Sequence, residues 1–237
     1  GSAAPGGRRP LGAGKPSPAA SGRTCGYSRP VLALALAMSL AAPPPGFRQP
    51  RTDDGRFANL DPVESPGFGD FLKWQLDRAD TPDRAAVPRV EPDLRRLATP
   101  PGAGEGARLT WLGHSSFLVQ LDGVSLLLDP ALEDGIGPGE VVTRNVPPGI
   151  PADKLPRIDA CLVSHNHYDH LDLPTLQKVR GGVVAGLGQE AFFRKARLLH
   201  VPLGWWRSTP IGDVTVTFVP AQHSSQQIGR ASCRERV

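Results

Sequence analysis

Residues 158–172 read IDACLVSHNHYDHLD, an apolar run that passes directly into a cluster of ionisable side chains. The run at 158–163 predicts a strand that is buried on both faces. The cluster that follows consists of His165, His167, Asp169 and His170. Burying four such polar groups costs several kcal/mol unless each of them has a partner. The stretch therefore predicts a buried strand that delivers a set of partnered polar side chains at its end.

A divalent metal is the partner that this cluster favours. Neutral imidazole and carboxylate groups suit zinc, and iron or manganese are alternatives. His165 and His167 alternate along the chain, so both can face one metal, whereas Asp169 and His170 can turn towards a second. Two metals about 3.5–4 Å apart can share a hydroxide and stabilise the attacking and leaving oxygens of a hydrolysis. The alternative interpretations are a solvated polar loop and a single structural ion.

The residues around the cluster predict an α/β layered domain. Asp122-Gly123 is a strong two-residue hairpin signal between two apolar runs, and residues 133–156 are expected to form a loop. Strands that alternate with short helices after an opening hairpin are typical of a layered α/β domain. The predicted strands are 108–112, 116–121, 124–128, 158–163, 183–185, 198–201 and 213–219, and the predicted helices are 174–179 and 189–196.

The rest of the chain has a different composition. Residues 1–50 are rich in Pro, Gly, Ala and Arg and are expected to be a disordered leader or upstream segment. Residues 51–107 are expected to wrap over the domain at 108–226, with one short helix at 69–79. The last stretch, 228–237 (IGRASCRERV), reverse-translates into a widely used sequencing-library adapter, so we expect an adapter-derived tail and authentic sequence ending near Gln226.

Charge and composition exclude some classes of function. The net charge of +4 comes from the two ends, since residues 1–30 carry +5 and residues 228–237 carry +2, which leaves −3 for 31–227. No nucleic-acid partner is therefore expected. Three cysteines are too few for a disulfide framework. We expect a cytoplasmic or membrane-associated protein, or a periplasmic or secreted one if residues 31–42 (VLALALAMSLAA) are a signal segment rather than sequence around a start at Met38.

The motif and several strings around it resemble a known family. HxHxDH after a central strand is the signature of the metallo-β-lactamase superfamily. The fuller pattern resembles the N-acyl phosphatidylethanolamine phospholipase D branch of that superfamily. The strings that carry this resemblance are GRFANL (55–60), LKW (72–74), TWLGH (110–114), LDP (128–130), PPGIP (147–151), SHNHYDHLD (164–172), VPLG (201–204) and PAQH (220–223).

The resemblance implies an αββα sandwich, of which this chain holds only the N-terminal half. It implies two zinc ions, with His165, His167 and His223 on the first and with Asp169 and His170 on the second. By itself His223 is equally a ligand or a loop residue after the strand at 213–219. The family also uses a metal-bridging Asp and a last His from later strands, and neither residue type follows His223 here. The polypeptide as written is therefore expected to be inactive, poorly soluble and able to hold at best one metal.

The implied activity is hydrolysis of a lipid phosphodiester, by the metal-bridging hydroxide, to phosphatidate and an N-acyl ethanolamine. Asp169 and His114 are the expected catalytic residues, and the expected partners are a phospholipid or small phosphodiester substrate and a membrane surface contacted peripherally. A lactone or small phosphoester hydrolase and a non-catalytic metal-binding module are the alternatives.

Four other side chains near the motif have two interpretations each. His114 either lines the pocket and orients a metal-bound water or caps a turn. Asp129 either accepts a hydrogen bond from a ligand histidine or belongs only to an Asp-Pro turn. Trp205 and Trp206 either face the substrate or pack in the core, of which the second is favoured.

Overall fold

The computed structural model describes residues 1, 51–53, 56–58, 68–77, 88–137, 142–144, 146–179, 181–221 and 223. The segments at 31–42 and 228–237, and all of 1–50 except Gly1, lie outside these residues, so the expectations for them stay predictions. The strands are β1 (Arg51–Asp53), β2 (Arg56–Ala58), β3 (Ala107–Gly113), β4 (Ser116–Leu121), β5 (Val124–Leu128), β6 (Gly135–Ile136), β7 (Val142–Thr143), β8 (Ala160–Val163), β9 (Gly182–Gly186), β10 (His200–Leu203), β11 (Ser208–Ile211) and β12 (Val214–Thr217). The helices are α1 (Phe68–Asp77), α2 (Leu94–Leu97), α3 (Leu173–Val179) and α4 (Glu190–Lys195), with one 3₁₀ turn at Ala152–Lys154.

The apolar run before the histidine motif forms β8, an inner strand of a six-stranded sheet with the order β10-β9-β8-β5-β4-β3. Strands β10, β9, β8 and β5 are parallel, and β5, β4 and β3 form an antiparallel meander. Three of the four residues of β8 are buried, as predicted. The turn between β4 and β5 has positive φ at Asp122 (48°) and Gly123 (75°), the conformation that an Asp-Gly hairpin favours.

Two apolar cores lie on opposite faces of this sheet. Helices α3 and α4 cover one face, where Leu176 and Phe193 pack with the sheet residues Leu118, Leu127 and Cys161. The antiparallel hairpin of β11 and β12 covers the other face. The residues of that second core are Val124, Leu126, Ala160, Val184, Leu203 and Ile211, with Val214, Val216 and Phe218 packed against them. Burial alternates along β12, as its sequence pattern predicts.

The face of the sheet opposite the helices has apolar cover over only part of its area. The β11–β12 hairpin shields the parallel strands, because its apolar side chains alternate towards them. On strand β3, however, Leu109 is 66% exposed and Trp111 is 56% exposed. Both lie opposite partly buried residues of β4, so the uncovered area is the β3 side of the sheet.

Several predicted element bounds are wrong in detail. The segment at 133–156 was expected to be loop, but it contains the paired strands β6 and β7 and the 3₁₀ turn at Ala152–Lys154. Strand β11 escapes prediction because its sequence, STPI, has only one large apolar residue and a proline. Helix α2 lies in the segment at 51–107, and its Leu97 is buried in the first core. Within the described part of the chain, no helix combines the length and apolar character needed to cross a bilayer.

Candidate metal centre

Three separate stretches bring ionisable side chains to one edge of the sheet. The motif at 164–170 follows β8 directly, at the carboxyl end of the parallel strands, where ligand sites of α/β sheets usually lie. His223 comes after the β11–β12 hairpin, and His114 comes from the turn between β3 and β4. Residues that are far apart in the sequence therefore meet at this edge.

The first donor group consists of His165, His167 and His223. His167 Nδ1 lies 2.9 Å from His165 Nε2 and 3.1 Å from His223 Nε2. One atom of each ring lies within 4.8 Å of the others. His165 is buried, His167 is half-buried and His223 is exposed, so the group opens to solvent on the His223 side.

The second donor group consists of His114, Asp169 and His170. Asp169 Oδ2 lies 3.0 Å from His114 Nε2 and 3.7 Å from His170 Nε2. The two groups are adjacent, since the ring centroids of His165 and His170 are 4.2 Å apart.

Asp129, at the end of β5, connects the two groups. Its carboxylate accepts hydrogen bonds from Ser164 N at 2.7 Å and Ser164 Oγ at 2.8 Å, and Oδ2 also lies 2.9 Å from His170 Nδ1. A carboxylate oxygen only accepts, so His170 Nδ1 carries the proton. Ser164 Oγ gives its own proton to Asp129 and therefore accepts from His165 Nδ1, 2.9 Å away. In a neutral ring, this leaves the Nε2 lone pair of His165 and of His170 facing into its donor group.

The charge states of the donors also suit a cation. Burial, reinforced by the neighbouring histidines, lowers the pKa of His165 to about 4. Burial together with His223 also lowers the pKa of His167. Burial opposes ionisation of Asp169, but its backbone hydrogen bond and the nearby His170 and His114 outweigh it and lower its pKa. At neutral pH His165 and His167 are therefore neutral imidazoles and Asp169 is a carboxylate.

His170 differs from the other two motif histidines. Burial lowers its pKa, but the hydrogen bond to Asp129 and the charges of Asp129 and Asp169 outweigh burial and raise it. A neutral His170 places a lone pair opposite an anionic carboxylate oxygen, which is repulsive without a proton or a cation between them. Imidazole nitrogens and one carboxylate are ligands that zinc prefers, so both groups fit a divalent metal.

The structure brings the residues of the two ligand sets implied by the resemblance into two separate groups, and their binding of metal stays a prediction. His165, His167 and His223 share one group, and Asp169 and His170 share the other. Sequence reasoning placed His114 in the pocket or in a turn and did not place it in a donor group. It also omitted Ser164, for which the only signal is its place directly before the motif.

Asp129 and the tryptophan pair have separate outcomes. Asp129 accepts a hydrogen bond from His170, so it does more than form the Asp-Pro turn, in which it has a left-handed φ of 39°. Trp205 and Trp206 are half-buried in the turn before β11 and belong to neither donor group.

Comparison with known proteins finds one family model that matches part of this chain. Residues 125–236 match the model of the beta-lactamase superfamily domain. The α/β class of the metallo-β-lactamase type is thereby confirmed, together with the sheet flanked by helices.

Curated proteins that are similar to this chain include the following three. An uncharacterized protein of Mycobacterium tuberculosis (strain ATCC 25618 / H37Rv) is 33% identical over 195 residues, which cover 75% of this chain and 50% of the relative. A UPF0173 metal-dependent hydrolase of Anaeromyxobacter sp. (strain K) is 36% identical, covering 54% and 47%. The N-acyl-phosphatidylethanolamine-hydrolyzing phospholipase D 1 of Caenorhabditis elegans is 29% identical, covering 52% and 39%. The chain thus spans about half the length, or less, of these relatives.

Solved structures that this chain resembles include an isothiocyanate hydrolase from Delia radicum gut bacteria. It is 25% identical with a TM-score of 0.40, and the match covers 49% of each chain. The diiron β-hydroxylase CmlA from Streptomyces venezuelae is also 25% identical, with a TM-score of 0.38 over 49% of this chain and 24% of that one.

Proposed function

We propose that this chain is part of a metal-dependent hydrolase whose catalytic centre is the pair of donor groups at the carboxyl edge of the sheet. The observation that carries the proposal is the adjacency of two three-donor groups, whose His165 and His170 rings are only 4.2 Å apart. A single structural ion needs one such group, and a solvated loop needs none. Two adjacent groups suit hydrolysis, in which one centre must accommodate both an attacking and a leaving oxygen.

Bound metals would supply a Lewis acid and activate water at neutral pH. We propose zinc in both groups, with iron or manganese as alternatives. The chain's own contribution is to hold the donors in one geometry. Asp129 fixes His170 directly and fixes His165 through Ser164. Asp169 remains ionised because its pKa is lowered, so it contributes the negative charge of the second group.

The substrate class that we propose is a phosphodiester of the N-acyl phosphatidylethanolamine type. Support comes from the strings around the motif and from the 29% identity to the Caenorhabditis elegans phospholipase D, whose name states that activity. Hydrolysis of such a lipid requires contact with a membrane surface or a micelle. We therefore also propose peripheral membrane contact.

The test is a set of assays on the complete reading frame that contains this chain. Chelated and zinc-reloaded protein is assayed with vesicles that contain N-acyl phosphatidylethanolamine, with bis(4-nitrophenyl) phosphate and with an acyl lactone. We expect turnover of the vesicle lipid that chelation abolishes and zinc restores. The variant His167→Ala should lose roughly 100-fold or more of it, whereas His200→Ala, on β10 and in neither donor group, should retain it.

Each other outcome contradicts a defined part of the proposal. Turnover of the lactone or of the small phosphodiester alone would reject the lipid substrate but keep the hydrolase. Metal binding without turnover of any of the three would favour a non-catalytic metal-binding module. Turnover that survives both chelation and His167→Ala would reject the metal centre itself.

A further inference from the structure

The turn that carries His114 is built in an unusual way. Between Trp111 and Gly113 the pairing of β3 with β4 shifts by a bulge, and Gly113 has a φ of +112°. His114 itself has a φ of +49°, which is uncommon for a residue with a side chain. The Trp111 indole Nε1 donates a hydrogen bond of 2.8 Å to His114 O. The bulge, the positive φ and the indole bond together hold one backbone conformation at this position.

This conformation brings the His114 ring to the motif, 55 residues further along the chain. His114 Nε2 lies 3.0 Å from Asp169 Oδ2, and the ring centroids of His114 and His170 are 5.5 Å apart. The side chain of His114 is 46% exposed, so a solvated ion can reach it. A histidine that only capped the turn would not need its ring nitrogen at the carboxylate of another element.

We propose that His114 Nε2 is a protein ligand of the second metal group, together with Asp169 Oδ2 and His170 Nε2. This rests on the proposed function, because it assumes that the centre binds metal. Donor atoms bound at 2.0–2.1 Å in a tetrahedron lie roughly 3.3 Å apart. The separations of 3.0 Å and 3.7 Å from Asp169 Oδ2 lie on either side of that value.

The second group therefore has three donors that all precede residue 171. Residues 165 to 170 contribute two of them, and the third comes from the β3–β4 turn. The expectation that this polypeptide holds at best one metal changes accordingly. With His114 as a ligand, the chain binds one metal in each group.

Nuclear magnetic resonance of the 237-residue chain with ¹⁵N-labelled histidine tests this directly. The chain has six histidines, of which His200 lies outside both groups and serves as an internal control. On titration with Zn²⁺ we expect the Nε2 resonance of His114 to move to the position of a metal-bound nitrogen and that of His200 to stay. A His114 resonance that keeps its place while His165, His167 and His223 shift would overturn the inference but leave the proposed function standing. If no histidine resonance shifts, both fail.

Zinc stoichiometry gives an independent measurement. His114→Asn removes the imidazole Nε2 that reaches Asp169. Asparagine tolerates the positive φ of this turn better than most residues. We expect the wild-type chain to bind two equivalents of Zn²⁺ in calorimetry, and the variant to bind one equivalent at unchanged affinity and a second at least 10-fold more weakly. His200→Asn is the matched control and should bind two. Unchanged binding of both equivalents by His114→Asn would reject His114 as a ligand.

Discussion

Asp129 Oδ2 accepts a hydrogen bond of 2.9 Å from His170 Nδ1, across 41 residues of sequence. The same carboxylate receives both the backbone N–H and the hydroxyl of Ser164, which in turn accepts from His165. One side chain at the end of β5 therefore orients a ring in each donor group. Partners of this kind set both the tautomer and the ring plane of metal-binding histidines.

Replacing Asp129 with asparagine should weaken zinc binding by about 10–100-fold, the usual effect of losing such a partner. The asparagine amide has nearly the same shape as the carboxylate. Its nitrogen cannot accept a hydrogen bond, however, so only one of the two acceptor positions of Asp129 remains. Asp159→Asn is the matched control, because Asp159 accepts a backbone bond from Ser125 at the opposite end of the same sheet. Competition titration against a chromophoric chelator measures both variants. Equal zinc affinities for the two variants would contradict the proposed role of Asp129.

The stability of the metal-free chain should fall on acidification because of His165. Its pKa is about 4 in the fold, against 6.5 as its ordinary value, so the unfolded chain takes up a proton at this residue first. The free energy of unfolding should therefore decline as the pH falls from about 6.5 to about 4. Below about pH 4 His165 is protonated in both states and adds no further pH dependence. Urea denaturation in excess chelator measures it, and His165→Gln should have a shallower slope in this window. Identical slopes for the two proteins would show that His165 is not buried as a neutral ring.

Gly137→Ala should destabilise the fold more than Gly104→Ala does. Both glycines have a left-handed φ, of +86° and +76°, so both substitutions carry a similar backbone cost of roughly 1–2 kcal/mol. A Cβ on Gly137, however, would lie 2.9 Å from Cδ2 of Tyr168 in the histidine motif, whereas one on Gly104 meets nothing within 4 Å.

We therefore expect only Gly137→Ala to weaken zinc binding as well, because the displaced Tyr168 lies between His167 and Asp169. Thermal unfolding and zinc titration of the two variants measure both effects. If Gly104→Ala is as destabilising as Gly137→Ala and neither changes zinc affinity, the contact with Tyr168 does not constrain the motif.

Leu176→Ala should cost about 2–5 kcal/mol in the free energy of unfolding, the range for removing a leucine side chain from a packed core. Leu176 is 0% exposed on α3, the helix that follows the motif and packs on the sheet. Leu199→Ala is the control, since Leu199 is 51% exposed and should change stability by less than about 0.5 kcal/mol. Chemical denaturation compares them. A loss for Leu176→Ala as small as that of the control would contradict the packing of α3 on the sheet.

Local sequence patterns account for much of the fold. Three features depend only on neighbours within a few residues and can be predicted from the sequence. They are the Asp122-Gly123 turn, the buried strand β8 and the alternation along β12. Strand β11 and the pair of β6 and β7 were missed. They are short or poor in apolar residues, and they depend on pairing with a partner strand rather than on their own composition.

The candidate site divides in the same way. The sequence by itself determined that His165, His167, Asp169 and His170 form one polar cluster after a buried strand, because six consecutive residues cannot be far apart. Only the tertiary structure decided that Asp129 orients two of these rings and that His114 joins Asp169 and His170. Those contacts span 35 to 55 residues of sequence. They exist because parallel strands and a β-bulge bring distant chain segments to one edge of the sheet, a geometry to which no short sequence pattern corresponds.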